Sequence, residues 1–326
     1  MMKWGVVGLG HMAHQFAESI KEIDNAKLIS ISSSSDSKLK EFGDKYSIEK
    51  KNRFNQYQDI INSEADAVYI STLNYTHSSL IKILINSNKK VLCEKPFVIN
   101  YNEALELSEI IKEDQNNFYE AIAYRSSPQI ISLLNLIKDG EIGKIYKIES
   151  TFGFRVRRVN PKSRLFNKKT GGGAILDVGC YPVSFVNLFN ENGKKLEIKS
   201  VKGSLSKTGV DDHAELIGTT NGNIQIELKV SLKNHYKNNC IIYGSNGVIK
   251  IPSPWLPEKK TYLEVYKDKS YYKKFVTSDK SVYANQTNEI TKKFLKLKTI
   301  NSDLLVNIDE SVEIAKILTS WREHIK

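Results

Sequence analysis

Cysteine is scarce: Cys93, Cys180 and Cys240 are the only three in 326 residues, and none forms a CxxC pair. That excludes a disulfide framework and a cysteine-based zinc site, and fits a reducing compartment. Long apolar runs are missing too; none approaches the roughly 20 residues that span a bilayer. No membrane partner is therefore expected. The stretch Met1 to Gly10 has one lysine and a short apolar segment broken by glycines. It lacks the longer apolar region and small-residue cleavage site of an export signal, so a cytoplasmic location is expected. His11 and His14 have no acidic or cysteine companions at ligand spacing, and no metal is expected. Internal repeats are absent, and the one low-complexity stretch is Ser32 to Ser35.

A concentrated basic face is also missing. The net charge is +11, from 48 Lys and Arg against 37 Asp and Glu. Phosphate-backbone binding wants such charge gathered on one surface. Here it is spread in pairs such as Lys50-Lys51, Lys89-Lys90, Lys168-Lys169 and Lys259-Lys260. The surplus reads as a solvated surface that favours anionic ligands, with no nucleic-acid partner.

The length suits two domains. Up to about residue 122, short apolar runs alternate with helical patterns, as parallel βαβ units require. Strands are predicted at Lys3–Val7, Lys27–Ser32, Ala67–Ser71, Lys90–Cys93 and Asn117–Ala121. Helices are predicted after Gly10, over Asp36–Lys45 and His77–Ile85, and after an Asn100/Glu103 capping box. From residue 123 to 326 the rhythm changes to alternation. Ile224, Ile226, Leu228, Val230 and Leu232 are interleaved with Asn223, Gln225, Glu227, Lys229 and Ser231, which marks a half-buried antiparallel strand. Similar segments occur at Lys144–Arg155, Leu196–Ser206, His213–Thr219, Asn239–Tyr243 and Val248–Ile251. Asn221-Gly222 and Asn246-Gly247 are read as hairpin turns at positive φ. The expected fold class is α/β: a doubly wound parallel Rossmann domain, then an α+β domain with a large, mostly antiparallel, open-faced sheet. The final helix, with Ile314, Ile317, Leu318 and Trp321 on one stripe, is free to pack back on the first domain. Trp4, Trp255 and Trp321 are read as packing anchors, with an approach to the substrate pocket as the alternative for Trp255, after a strand end.

Four places carry chemistry. Gly8-Leu9-Gly10-His11-Met12-Ala13 has the form GxGxxA between the first strand and first helix, and predicts a dinucleotide pyrophosphate over Gly8, Gly10, His11 and Met12. At the end of the second strand an acid would select NAD by holding its ribose. Ser32 to Ser35 stand there instead, with Lys38 nearby, and Asp36 is read as a helix N-cap. Ser33 and Ser34 therefore favour NADP over NAD. Glu94-Lys95-Pro96 ends a parallel strand, on the side where open α/β sheets bind ligands. Gly171-Gly172-Gly173-Ala174-Ile175-Leu176-Asp177-Val178-Gly179-Cys180-Tyr181 puts Asp177 and Tyr181 four apart, on one face if a helix begins there.

GxGxxA, EKP and GGGAxxDxGxY, in this order, resemble the glucose–fructose oxidoreductase (Gfo/Idh/MocA) family over essentially the whole chain. Ser163-Arg164-Leu165-Phe166 and Gly209-Val210-Asp211-Asp212 are similar to its branch of dimeric dihydrodiol dehydrogenases and NADP-dependent D-xylose dehydrogenases. The resemblance implies catalytic Lys95, Asp177 and Tyr181, and a nicotinamide end lined by Thr72, Asn74 and His77, with Glu94 and Lys95 beside it. It implies substrate contacts from Arg164, Asp177, Tyr181 and Arg125, the last in a YRxxP-like run, Tyr124 to Pro128. The family often carries Arg where Ser34 stands. The expected activity is hydride transfer between NADP or NAD and a secondary alcohol or ketone of a carbohydrate-like substrate: a sugar, sugar derivative or cyclic diol. Tyrosine ionises near pKa ~10, so Tyr181 needs Lys95 as a cation to serve as proton carrier at neutral pH. A homodimer, possibly extended to a tetramer, is expected through the polar face of the strand Asn223 to Leu232. The alternative is a nucleotide-sensing regulatory protein without turnover; the retention of Lys95, Asp177 and Tyr181 speaks against it.

Overall fold

The computed structural model describes residues 1–190, 195–220, 223–267 and 270–325, apart from the side chains of 113 and 114. Two compact units divide the chain: Met1–Ser126 with Lys280–Val312, and Ser127–Asp279 with Glu313–Lys326.

The first unit holds a parallel sheet of β1 (Met2–Val7), β2 (Ala26–Ser32), β3 (Arg53–Phe54), β4 (Ala67–Ile70), β5 (Lys90–Glu94) and β6 (Phe118–Ala121). Their order is β3-β2-β1-β4-β5-β6, the doubly wound arrangement, with its switch between β1 and β4. Helices α1 (His11–Ile20), α2 (Asp36–Lys45), α3 (His77–Asn86) and α4 (Tyr101–Ile111) connect the strands. Strands covered on both faces are apolar throughout, as the four buried residues of β4 illustrate. Asn100 caps α4 as expected, its Oδ1 accepting Glu103 N–H at 3.0 Å; Glu103 Oε1 accepts from the Asn100 side-chain Nδ2 at 2.8 Å rather than from its backbone N–H. At α2 the expectation is corrected. Ser35 is the N-cap, accepting from Lys38 N–H, and Asp36 is the first helical residue.

Residues 280–312 rejoin this unit, a return that a single cut at 122/123 lacks. Their helix packs Ile290 and Phe294 into the cluster of Trp4, Phe16 and Tyr69, and Thr291 Oγ1 accepts from Trp4 Nε1 at 3.1 Å.

In the second unit α5 (Pro128–Lys138) precedes β7 (Ile145–Gly153), and α6 (Cys180–Asn187) precedes β8 (Glu197–Leu205), β9 (Asp211–Thr220) and β10 (Ile224–Ser231). Then come β11 (Asn239–Gly244), β12 (Gly247–Pro252), β13 (Lys260–Lys267) and β14 (Ser270–Thr277). The helices α7 (Val282–Phe294) and α8 (Ile308–Glu323) follow, α7 being the helix of the first unit just described. The sheet order is β14-β13-β12-β11-β7-β10-β9-β8. It is mixed: β10 runs antiparallel to β9 but parallel to β7. Ile226, Leu228 and Val230 are buried, while the alternate face carries ion pairs, Lys147 with Glu149 and Glu227, and Lys229 with Glu215.

One expectation changes here. The hairpin between β11 and β12 turns at Ser245-Asn246, and neither Asn246 nor Gly247 has positive φ. Gly247 is required instead by the approach of Tyr266 O from β13. Asn221-Gly222 lies outside the described residues. The helix α8 is divided between the units, residues 308–312 belonging to the first and 313–323 to the second. Its Leu318 and Trp321 would stand 3.5 Å from a Cβ at Gly179.

Candidate active site

In the first unit, β1 runs into Gly8, whose φ of +86° lies where only glycine is unstrained. A Cβ there would meet Thr72 Cγ2 at 2.7 Å and Thr72 N at 2.9 Å, so Gly8 is fixed by the protein itself. Gly10 differs. Nothing lies within 4 Å of the Cβ it lacks, although its φ is −98°. The protein has no internal reason for glycine there, and the free space opens at the start of α1, where backbone N–H groups and the helix dipole favour phosphate. This is the fit expected of a dinucleotide cradle. His11 and Met12 form the first turn of that helix.

After β2, Ser32 Oγ donates to Gln56 O, and buried Ser33 Oγ accepts Ser35 N–H. These two hydroxyls shape the turn. Ser34 is exposed, with Lys38 exposed beyond it.

Lys95 follows β5, and two side chains clamp the backbone just after it. His77 is fully buried, its Nδ1 3.1 Å from Pro96 O and its Nε2 3.3 Å from Thr72 O. Two carbonyls ask for two protons, but burial pushes the ring's pKa down to about 4. The cost of charging a buried ring wins, so neutral His77 donates to one carbonyl only. Both ring nitrogens face the protein's own backbone, so His77 joins the Thr72 turn to the Lys95 turn. From β6, Glu120 Oε1 accepts Phe97 N–H at 3.2 Å, and burial pushes this carboxyl up to about 7. Glu94 accepts from Tyr69 Oη. Thr72 Oγ1 accepts from Thr76, and Asn74 is half-buried in the same turn.

Tyr283, at the start of α7, escaped the sequence reading. Burial and then the Glu94 charge push its phenol up, while the Lys95 ammonium pulls it down, so a phenol lies within electrostatic reach of Lys95. No local motif marks it; only the return of residues 280–312 brings it there.

Arg125 is held by the protein's own groups. Its guanidinium is 3% exposed, forks onto Glu310 at 2.8 and 3.0 Å, and donates through Nε to Leu304 O at 3.1 Å.

In the second unit, Gly173 has φ +123° and faces Asp211, whose Oδ2 accepts Ile175 N–H at 2.7 Å. Burial pushes the Asp211 carboxyl up to about 6. The turn Ile175–Gly179 is a wide π-helical one leading into α6, a local form frequent at functional sites. It presents Asp177, 7% exposed, to Arg164 Nη1 at 2.7 Å. Tyr181 follows on α6. Its ring lies edge-on to Phe152 at 5.3 Å and 6.1 Å from Trp255. Asp177, Tyr181 and Arg164 thus gather in the second unit, whereas Lys95 belongs to the first. Trp255 is 1% exposed and serves as a packing anchor, as do Trp4 and Trp321.

Residues 2–121 match the Gfo/Idh/MocA model described as an oxidoreductase family with an NAD-binding Rossmann fold, and residues 130–250 match a Gfo/Idh/MocA C-terminal domain. The chain belongs to the Gfo/Idh/MocA oxidoreductase family. Trans-1,2-dihydrobenzene-1,2-diol dehydrogenase of Xenopus tropicalis is 29% identical over 259 residues, covering 78% of this chain and 77% of the relative. The Mus musculus protein of that name is 26% identical over 335 residues, covering 99% and 97%. Among solved structures, KijD10, a 3-ketoreductase from Actinomadura kijaniata in complex with NADP and TDP-benzene, superposes with TM-score 0.87 at 19% identity, covering 100% of this chain and 98% of that one. Aldose-aldose oxidoreductase from Caulobacter crescentus, complexed with glycerol, gives 0.87 at 18% identity, covering 99% and 97%. At such identities the likeness is one of fold. Among the described residues, no helix is long and apolar enough to cross a membrane.

Proposed function

We propose that this protein is a dehydrogenase or reductase that prefers NADP and acts on a secondary alcohol or ketone of a sugar, sugar derivative or cyclic diol. The observation that carries the cofactor half is the open space at Gly10, beside an exposed Ser34 and Lys38 with no acid at the end of β2. KijD10 with its NADP and the dihydrodiol dehydrogenases support the reading as relatives. Nicotinamide, when bound, supplies or accepts the hydride. In the oxidative direction Tyr181 takes the hydroxyl proton, Lys95 favours the tyrosinate by its charge, and Asp177 orients the reacting group together with Arg164. A homodimer through the alternate face of the second sheet is part of the same proposal.

The test is a screen of pentoses, hexoses, uronates, inositols and cyclic diols, following reduced-cofactor absorbance with NADP and NAD in parallel. Turnover with a higher kcat/KM for NADP is expected. Tyr181→Phe should lose about 10²- to 10⁴-fold in turnover while cofactor affinity survives. Retained activity in Tyr181→Phe with loss in Lys95→Met would make Lys95 the proton carrier and overturn the role given to Tyr181.

A further inference from the structure

A cavity of about 550 Å³ in the second unit has no part in the reading so far. Arg155 and Arg157 line it from the segment after β7, and Lys233 and His235 from the segment after β10. Phe166 and Asp212 complete the part of the lining that matters here. The two basic segments are zipped together, Phe154 N–H donating to Ser231 O at 3.0 Å and Val156 N–H to Leu232 O at 2.8 Å. Arg155 and Arg157 both line the cavity.

The charge there is uncompensated. Some cations of this unit meet carboxylates, as Lys147 meets Glu149 and Glu227, and Lys195 meets Glu313. Among the described residues, Arg155, Arg157 and Lys233 enter no ion pair and donate no side-chain hydrogen bond. One lining carboxylate, Asp212, stands against them, and it accepts from Ser204 Oγ at 2.6 Å. Like charges gathered around a concavity repel one another, and an anion relieves that repulsion. Arginine suits the task because its planar fork matches carboxylate and phosphate oxygens.

The chain joins the cavity's lining to the candidate site. The chain that carries Arg155 and Arg157 continues to Arg164, whose guanidinium holds Asp177. Asp212 follows Asp211, which accepts the first amide of the turn bearing Asp177. We infer that this cavity is a subsite for the anionic group, a carboxylate or a phosphate ester, of a sugar-like substrate whose reacting carbon lies at Asp177 and Tyr181. The inference rests on the proposed function and narrows its substrate class to acidic sugars.

The experiment compares glucose, glucuronate and glucose 6-phosphate, by turnover with NADP and, independently, by calorimetric titration of the full-length NADP-loaded protein. Wild type should favour one of the acidic sugars, and the preferred one separates carboxylate from phosphate. Arg155→Gln/Arg157→Gln should raise KM and Kd for that sugar by about 10- to 100-fold, the scale of losing charge-assisted hydrogen bonds. It should leave kcat, and KM for neutral glucose, within about twofold. Lys233→Gln, on the opposite wall, should act in the same direction. Equal effects on neutral and acidic sugars, or no preference for acidic ones in wild type, would overturn the subsite while leaving the proposed function standing. Binding of an acidic sugar that the arginine variant abolishes, with no turnover of any sugar, would do the reverse. Tight binding of a mixed-sequence oligonucleotide that requires the same arginines, with no sugar binding, would overturn both.

Discussion

Replacing Gly173 by alanine tests whether the turn that presents Asp177 is built as described. The added Cβ would sit well inside contact distance of Asp211 Oδ1 and 2.9 Å from its Cγ, on a backbone at φ +123°. Two costs follow. Holding an L-residue in that region costs about 1–3 kcal/mol. Displacing Asp211 from Ile175 N–H, a buried bond of 2.7 Å, costs about 1–3 kcal/mol more. The expected loss is therefore on the order of 2–6 kcal/mol, read as a lower urea midpoint at unchanged slope. Because Asp177 N–H bonds to Gly173 O at 3.1 Å, the displacement reaches the candidate site, and turnover should fall beyond what the lost folded fraction explains. A second variant separates the terms. Asp211→Ala removes the carboxylate that the new Cβ meets, so Gly173→Ala/Asp211→Ala should be worse than Asp211→Ala only by the backbone strain. A loss below about 1 kcal/mol for Gly173→Ala, or full additivity in the pair, would refute the claim that Asp211 and this glycine are matched.

Gly10→Ala should leave the melting temperature without cofactor unchanged, since its Cβ meets nothing within 4 Å, yet weaken NADP in a fluorescence titration; a large loss of intrinsic stability would refute the cradle. Arg125→Met removes the charge-assisted bonds to half-buried Glu310 and should cost about 1.5–3 kcal/mol in urea unfolding, with Glu310→Gln recovering part of it; a loss under about 1 kcal/mol would refute a structural role for the pair. Glu120→Gln is a test in pH. The folded carboxyl titrates at about 7 against an ordinary 4.5, so the folded chain holds the extra proton between those values and Glu120 lowers stability as pH rises through them. His77 works the other way, its folded value of about 4 against 6.5 making stability rise with pH over that range. The readout is therefore the difference between variant and wild type, which should move in the variant's favour by on the order of 2–3 kcal/mol from pH 4.5 to 8; a flat difference would mean that Glu120 titrates as an ordinary carboxylate.

What the sequence disclosed and what it concealed divide along a physical line. Gly8 was legible because its demand is local: a turn at positive φ between a strand and a helix. So was Asn100, whose cap partner is three residues away. β14 was missed because nearly all its residues are exposed, Phe275 at 73%, and no period-two signal survives. β3 was missed because two residues carry no period at all. The partner of Arg125 was hidden for a different reason. A charged residue beside a functional-looking motif reads as a ligand contact until its partner is known, and that partner, Glu310, lies 185 positions later. Tyr283 and Thr291 were invisible on the same ground, since they matter only once residues 280–312 rejoin the first unit.

The same division bears on how far each functional assignment reaches. Residues whose chemistry follows from backbone geometry, such as Gly10 and the turn bearing Asp177, can be argued from the chain's local form. Residues whose chemistry follows from charge need their counter-charges counted. That count pairs Arg125 with Glu310 and leaves Arg155 and Arg157 without a carboxylate partner among the described residues. A substrate can claim only charge that the fold has left over. The leftover charge in the second unit is positive, and an acidic sugar is the partner that would use it.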